Sequence, residues 1–394
     1  MQKKIYFLAF IIIAIVSLTI FAKIKSSQRL NYWERKYVKY YNRIQEKTGE
    51  KYTKYLPSPA PDQLLEVDFD KVDAKLKSLP NWMTQEIEQK FSKYENFSTQ
   101  HVLKSYNLAT NQDNFTLFTI KNGVVTHENK FEVTRGDFLF VISFYEKIFA
   151  YLSRKGYIKN LSFVLLIDDA ISGDYSHVST TNIAPILVFS RNDNKHLDKD
   201  TVLVPDWFSL MGWVYNIVKI EKANKEFPWE KKLEIVFWRG GNADISGYRH
   251  GLVELSAKLK HQKIDVQFSH GAEATTGYVQ VEDHIKYKYQ ISIDGLTSTW
   301  DRVVWQLYSN CVMLKQRSDL VQWFYSAIKP GKHYVDVGTN PDELLSILSS
   351  YSDDELKEIA ENGQKFAKEN LMPEDMMVYL IAVLQKYETL QNSK

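Results

Sequence analysis

Residues Glu282 to Lys315, EDHIKYKYQISIDGLTSTWDRVVWQLYSNCVMLK, hold the densest set of side chains suited to an anion. A β-branched run ends in Asp294-Gly295. Ser298, Thr299 and Arg302 then lead into an apolar helical pattern that closes on Cys311 to Leu314. The pattern predicts strand, polar turn, helix, strand. Hydroxyls, backbone N–H groups and a guanidinium at a helix start favour negative charge, because the helix dipole and the unsatisfied donors act together. A phosphate site is the expectation. A second group of the same kind is Trp238-Arg239-Gly240-Gly241, with Arg249 following. Glycine lets a backbone approach a pyrophosphate and arginine neutralises it, although the same residues also suit a plain turn with Arg239 in a surface ion pair. Carboxylates come from Asp168-Asp169, directly after the apolar run Leu161 to Ile167. Acids just past a buried strand sit at the crevice where open α/β sheets bind ligands; they equally suit a capped turn.

Missing motifs narrow the chemistry. No GxGxxG or GxxxxGK[ST] loop occurs, so hydride transfer and ATP hydrolysis lack support. HExxH, GxSxG and paired His/Cys metal spacings are also absent, and His270, His284 and His333 stand singly. Asp353-Asp354 follows Ser352 and reads as a helix N-terminus. Neither acid pair has the Asp-x-Asp spacing suited to a nucleotide-bound cation, so a mechanism without a metal is expected. The single cysteine, Cys311, rules out an intrachain disulfide and a thiolate cluster, and it favours a reducing compartment. Lys+Arg number 50 against 48 Asp+Glu, a balance that gives no sign of a nucleic-acid partner.

The elements that must carry these residues read as follows. Residues 5 to 22, IYFLAFIIIAIVSLTIFA, are uncharged and just long enough to cross most of a bilayer core. A retained anchor is the expectation, with a cleaved signal peptide as the competing reading. Lysines and arginines after the run outnumber the two lysines before it, which puts the large domain on the cytoplasmic side, whereas the N-terminal lysines acting alone would set a type II orientation. The expected divisions are a membrane anchor over 1–26, a helical stem and wrapping segment over 27–110, and two α/β halves over 111–228 and 229–394. Asn122-Gly123 between alternating runs predicts a hairpin. The second half alternates strand and helix, as a parallel sheet with covering helices would. Helices are expected at Asp137 to Arg154, from Trp207 to about Lys225, from Arg249 to about Lys260, and near Asp319 to Ala327.

In order along the chain, WRGG with Arg249, HIKYKYQISIDG, STWDR, SNCVMLK, WFYSAIKPGKHYVDV and EIAENGQKFAKENL resemble glycosyltransferase family 90. This is the family of CAP10-like and protein O-glucosyltransferases and of bacterial lipopolysaccharide-core transferases. The resemblance covers about residues 160 to 371. It implies a GT-B fold, in which two Rossmann-like halves, acceptor-side and nucleotide-sugar-binding, face across a cleft. It also implies inverting transfer of a sugar from a UDP-sugar without an essential metal or other cofactor. By the same resemblance Asp169, with Asp168 one place away, matches the general base. Arg302, and Arg239 or Arg249, match the phosphate ligands, with Gly240, Asp294, Gly295, Ser298 and Thr299 around them. The implied acceptor is a glycan or glycolipid such as lipopolysaccharide core, handled by a single-pass protein of the inner membrane. A protein hydroxyl is the alternative acceptor, and a non-catalytic glycan-binding protein the alternative class.

Overall fold

A computed structural model gives the architecture and describes residues 67–94, 96–108, 115–129, 136–168, 183–194 and 201–392. The expected anchor over 1–26, much of the stem and Asp169 lie outside the described residues. Among the described residues no helix is long and apolar enough to cross a membrane.

Three helices precede the first sheet: α1 (Phe69–Leu76), α2 (Asn81–Phe91) and α3 (Thr99–Asn107). Helix α1 lies inside the segment expected to wrap as a linker. Asp68 caps it by accepting from the Lys71 N–H, and its Val72 is fully buried. A capping box formed by Ser98 and His101 starts α3. Strands β1 (Phe115–Lys121) and β2 (Val124–Asn129) form the expected hairpin. Asn122 and Gly123 take φ of 52° and 84°, the left-handed pair that such a two-residue turn requires. Then follow α4 (Gly136–Arg154), β3 (Asn160–Leu166), β4 (Ile186–Val188), β5 (Arg191–Asn192), β6 (Thr201–Leu203) and α5 (Trp207–Glu226). Asp206 caps α5, accepting from both the Ser209 N–H and its hydroxyl. The first sheet runs β2-β1-β3-β4-β6. It is parallel across β3, β4 and β6, with β1 antiparallel to both of its neighbours.

The second half contains β7 (Leu233–Gly241), α6 (Tyr248–Lys258), β8 (Ile264–His270), α7 (Val281–His284), β9 (Tyr287–Ser292), α8 (Asp301–Tyr308), β10 (Val312–Lys315), β11 (Leu320–Val321), β12 (Val335–Asp336), α9 (Leu344–Ser349), α10 (Asp353–Asn370) and α11 (Pro373–Asn392). Its sheet is wholly parallel in the order β12-β10-β9-β7-β8. From β7 the chain steps outward to β8, then crosses back to β9 on the other side of β7. The β7/β9 boundary is therefore a topological switch point, where the connections diverge and leave a crevice at the carboxyl ends of the strands.

The helix expected near Asp319 to Ala327 is replaced by β11 and turns. Leu320 and Val321 pair antiparallel with Asn192 and Arg191 of β5, and Trp323 and Phe324 drop into the core. Pairing of β11 with β5 in a separate two-stranded sheet has overridden a helical apolar pattern. The last helix, α11, packs against α1, α2, α5 and β3, so it closes the first sheet although it ends the second half. Gln391 both accepts from the Ser162 N–H and donates to the Ser162 carbonyl, each at 2.8 Å. One hydrophobic core runs through the first sheet, α8 and α11; a second fills the space between the second sheet, α6, α9 and α10.

Candidate functional site

The carboxyl ends of β7 and β9 meet around one indole. Trp238 is almost fully buried, and its ring folds back so closely over Gly240 that a Cβ there would lie 2.2 Å from Trp238 Cζ2. The guanidinium carbons of Arg249 and Arg302 lie 5.2 and 5.8 Å from the ring centroid. Two cations on one aromatic ring gain from its quadrupole but repel each other. Burial, and next the charge of Arg302, push Arg249 down to about 10. Burial lowers Arg302 as well. Asp244 and Asp294 pull Arg249 the other way, and Asp301 does the same for Arg302.

These two arginines have different work. Arg249 joins the strand ends: Nε donates to the Asp294 carbonyl (2.9 Å), Nη1 to the Gly241 carbonyl (2.9 Å) and Nη2 to the Ile293 carbonyl (3.0 Å). Gly295 makes room for it, since a Cβ there would stand 2.7 Å from Arg249 Nη2. Arg302, in the first turn of α8, donates from Nη2 to the Arg239 carbonyl (3.0 Å), while its buried Nη1 has no acceptor in the described chain. Arg239 spends its fork elsewhere. Both Asp265 carboxylate oxygens lie 2.9 Å from Nη2, Nη1 is held by the Trp238 and Asp265 carbonyls, and the group lies over Phe237. Its contribution at the crevice is the carbonyl that orients Arg302.

The turn after β9 is bonded to the strand before it and to the chain beyond β10. The Asp294 carboxylate accepts from Ser318, and its N–H donates to Gln316 Oε1 (3.1 Å), so this acid anchors the turn to the chain beyond β10. Burial raises its pKa, with Lys315 pulling the other way. The Thr299 hydroxyl is bonded to Ser292 Oγ at 3.1 Å. By contrast the buried hydroxyls of Thr297 and Ser298, like the Trp238 indole N–H, have no partner within the described chain. Unpaired buried donors are costly and uncommon in folded proteins. Three of them, with Arg302 Nη1 as a fourth, lie on the elements around the switch point and suit an oxyanion ligand.

Ser298 also links the halves, its N–H donating to Ser190 Oγ just past β4 at 3.4 Å. The carboxyl ends of the two sheets therefore face each other. Asp168, half-buried at the end of the adjacent parallel β3, lies on this same end of the first sheet.

Several residues here carry no recognisable motif in the sequence. Trp300 precedes α8 with φ 52° and ψ −131°, a conformation unfavourable for a bulky side chain. Gln322 Nε2 holds its carbonyl at 2.9 Å. Asp301 follows, with Asn216 Nδ2 from α5 at 3.4 Å. Burial, and then the neighbouring Asp206 carboxylate, push Asp301 up to about 7 against the opposing pull of Arg302. The signal was in STWDR and VPDW, two acids each beside a tryptophan; only the fold brings them near each other. Among the described residues no three His, Cys, Asp or Glu side chains gather as metal ligands.

The chain is similar to known glucosyltransferases. The chain is 30% identical over 267 residues to "Protein O-glucosyltransferase 3" of Homo sapiens, covering 64% of this chain and 51% of that protein. It is 28% identical over 292 residues to "Protein O-glucosyltransferase 2" of Danio rerio, covering 70% and 56%. It is 28% identical over 230 residues to "O-glucosyltransferase rumi homolog" of Aedes aegypti, covering 52% and 55%. The chain thus spans about half the length of the curated relatives it matches. The profile described as "Glycosyl transferase family 90" matches residues 83–394, which include β7, β9, both arginines and the interlobe contact at Ser298. The chain belongs to glycosyl transferase family 90.

Proposed function

We propose that the protein is an inverting glycosyltransferase that moves a sugar from a UDP-sugar to an acceptor hydroxyl, in a GT-B-like arrangement and without a required metal. The observation that carries the reading is the cluster of Arg302 Nη1, Trp238 Nε1 and the Thr297 and Ser298 hydroxyls, all buried and without a partner among the described residues at the switch point of the second sheet. A diphosphate there would satisfy these donors and relieve the repulsion between Arg249 and Arg302. As the anomeric bond breaks, charge grows on the leaving UDP, and preorganised donors lower the barrier by meeting it. Asp169, with Asp168 beside it, supplies the base from the facing half by taking the acceptor proton as the new bond forms. The names of the relatives favour a protein hydroxyl as acceptor. Lipopolysaccharide core remains the alternative, and membrane anchoring through residues 5 to 22 with a cytoplasmic catalytic part rests on sequence alone. The test is release of UDP from UDP-glucose, UDP-galactose and UDP-xylose, with peptide or glycan acceptors, in the presence and absence of EDTA. Turnover that survives EDTA supports the reading. A folded protein that turns over none of these donors would instead be a binder.

The raised Asp301 gives a pH dependence of known sign. Below about pH 7 the carboxyl is neutral and leaves Arg302 its full charge; above that value a carboxylate stands beside it. UDP affinity should therefore fall through this range relative to Asp301→Asn, which never acquires the charge. Calorimetric titration at constant ionic strength should find variant and wild type equal near pH ~5.5, with the variant about tenfold tighter near pH ~8.5. Parallel profiles would remove Asp301 from the site.

A further inference from the structure

Six large hydrophobic side chains stand exposed among the described residues, and four of them rim the same crevice: Ile245, Tyr278 and Leu296 on the loops after β7, β8 and β9, and Phe208 at the head of α5. Single exposed apolar residues are ordinary on proteins. Phe208 differs in how it is held. One face stacks on Trp207, with centroids 3.9 Å apart and 27° between planes. Its ring meets Trp300 edge-on at 5.8 Å, and Trp300 leans on Phe189 at 5.7 Å. The four rings form a continuous row from the end of β4 to the start of α5, joining the two facing sheets. Phe189 and Trp207, the two ends of the row, are buried, and the Trp300 carbonyl is fixed by Gln322, yet Phe208 between Trp207 and Trp300 keeps 44% of its surface exposed.

The row passes through Trp300, at the start of the helix that carries Arg302. Trp300, which the Phe208 ring touches, is two residues before Arg302, and its strained backbone turns the chain into α8. Such strain persists only where the surroundings impose it. A rigid aromatic face beside an anion site offers an apolar surface to whatever is attached to the anion. A pyranose has one face of C–H bonds and polar groups around its edge, so it can lie on such a ring while its hydroxyls stay hydrogen-bonded.

We propose that Phe208 is the shelf for the donor sugar ring and so sets donor recognition; this rests on the reading above that a UDP-sugar occupies the β7/β9 crevice. Its work is binding the sugar rather than the nucleotide, and calorimetry on the full chain can separate the two. UDP is titrated alongside UDP-glucose, UDP-galactose and UDP-xylose, with the tightest sugar donor taken forward. Phe208→Ala should weaken that donor about tenfold while leaving UDP unchanged, and Phe208→Tyr should restore it. In turnover the loss should appear mainly in the KM for the donor. Equal weakening of UDP and UDP-sugar would put the nucleobase on this ring, and a change only in acceptor KM would put the acceptor there; either result overturns the proposal, as does no change at all. Absence of UDP binding in the wild-type protein would overturn the functional reading beneath it as well, so the two failures are distinguishable.

Discussion

Arg302→Ala is expected to lower kcat/KM for the UDP-sugar by about 10²–10³-fold, the scale seen when one preorganised donor to a developing charge is removed. The melting temperature should stay close to wild type. Arg302 gives the fold one backbone hydrogen bond, to the Arg239 carbonyl, and keeps Nη1 unspent. Arg249→Ala provides the contrast. Its guanidinium satisfies three carbonyls, at Gly241, Ile293 and Asp294, and their loss should destabilise the protein by about 2–5 kcal/mol along with any catalytic effect. Lysine at 302 should recover little, because a point charge cannot both bond the Arg239 carbonyl and reach the ligand as a planar fork does. Thermal unfolding beside steady-state kinetics checks both variants. An Arg302→Ala protein that turns over normally would sever the switch-point cluster from the chemistry.

The second large effect belongs to the base. Asp169→Asn should reduce transfer by about 10²–10⁴-fold, the range of general-base contributions, with UDP affinity nearly unchanged because a general base works on the acceptor proton and not on the nucleotide. Asp168→Asn is the companion variant. If it alone abolishes turnover, the role moves one residue back to the end of β3. Comparing single-turnover rates with UDP binding separates a lost base from a lost donor site.

What could be read from the sequence was local. The hairpin at Asn122-Gly123 and the order strand, turn, helix, strand around Asp294 to Leu314 depend on turn chemistry and periodicity, which neighbours in sequence decide. The anion-binding character of that stretch was legible for the same reason. Which arginine is available was not. Arg239 looked like a phosphate ligand after a buried strand, but Asp265, 26 residues on and across to β8, takes its fork. Nor could spacing decide between Ser298 and Thr299; the structure bonds Thr299 to Ser292 and leaves the Ser298 hydroxyl without a partner among the described residues. The segment from Asp319 to Ala327 has apolar residues at helical spacing, yet pairing of Leu320 and Val321 with β5 outweighs it. Trp238, Asp301 and Phe208 acquire their meaning only from partners far away in the chain, on facing strands or on the other half.

A structure of the protein crystallised with UDP would test the central claim most directly. The account predicts the diphosphate at the carboxyl ends of β7 and β9, with its oxygens at hydrogen-bond distance, about 2.7–3.1 Å, from Arg302 Nη1 and the Ser298 or Thr297 hydroxyl. UDP bound away from this crevice, with Arg302 Nη1 and both hydroxyls untouched, would contradict it.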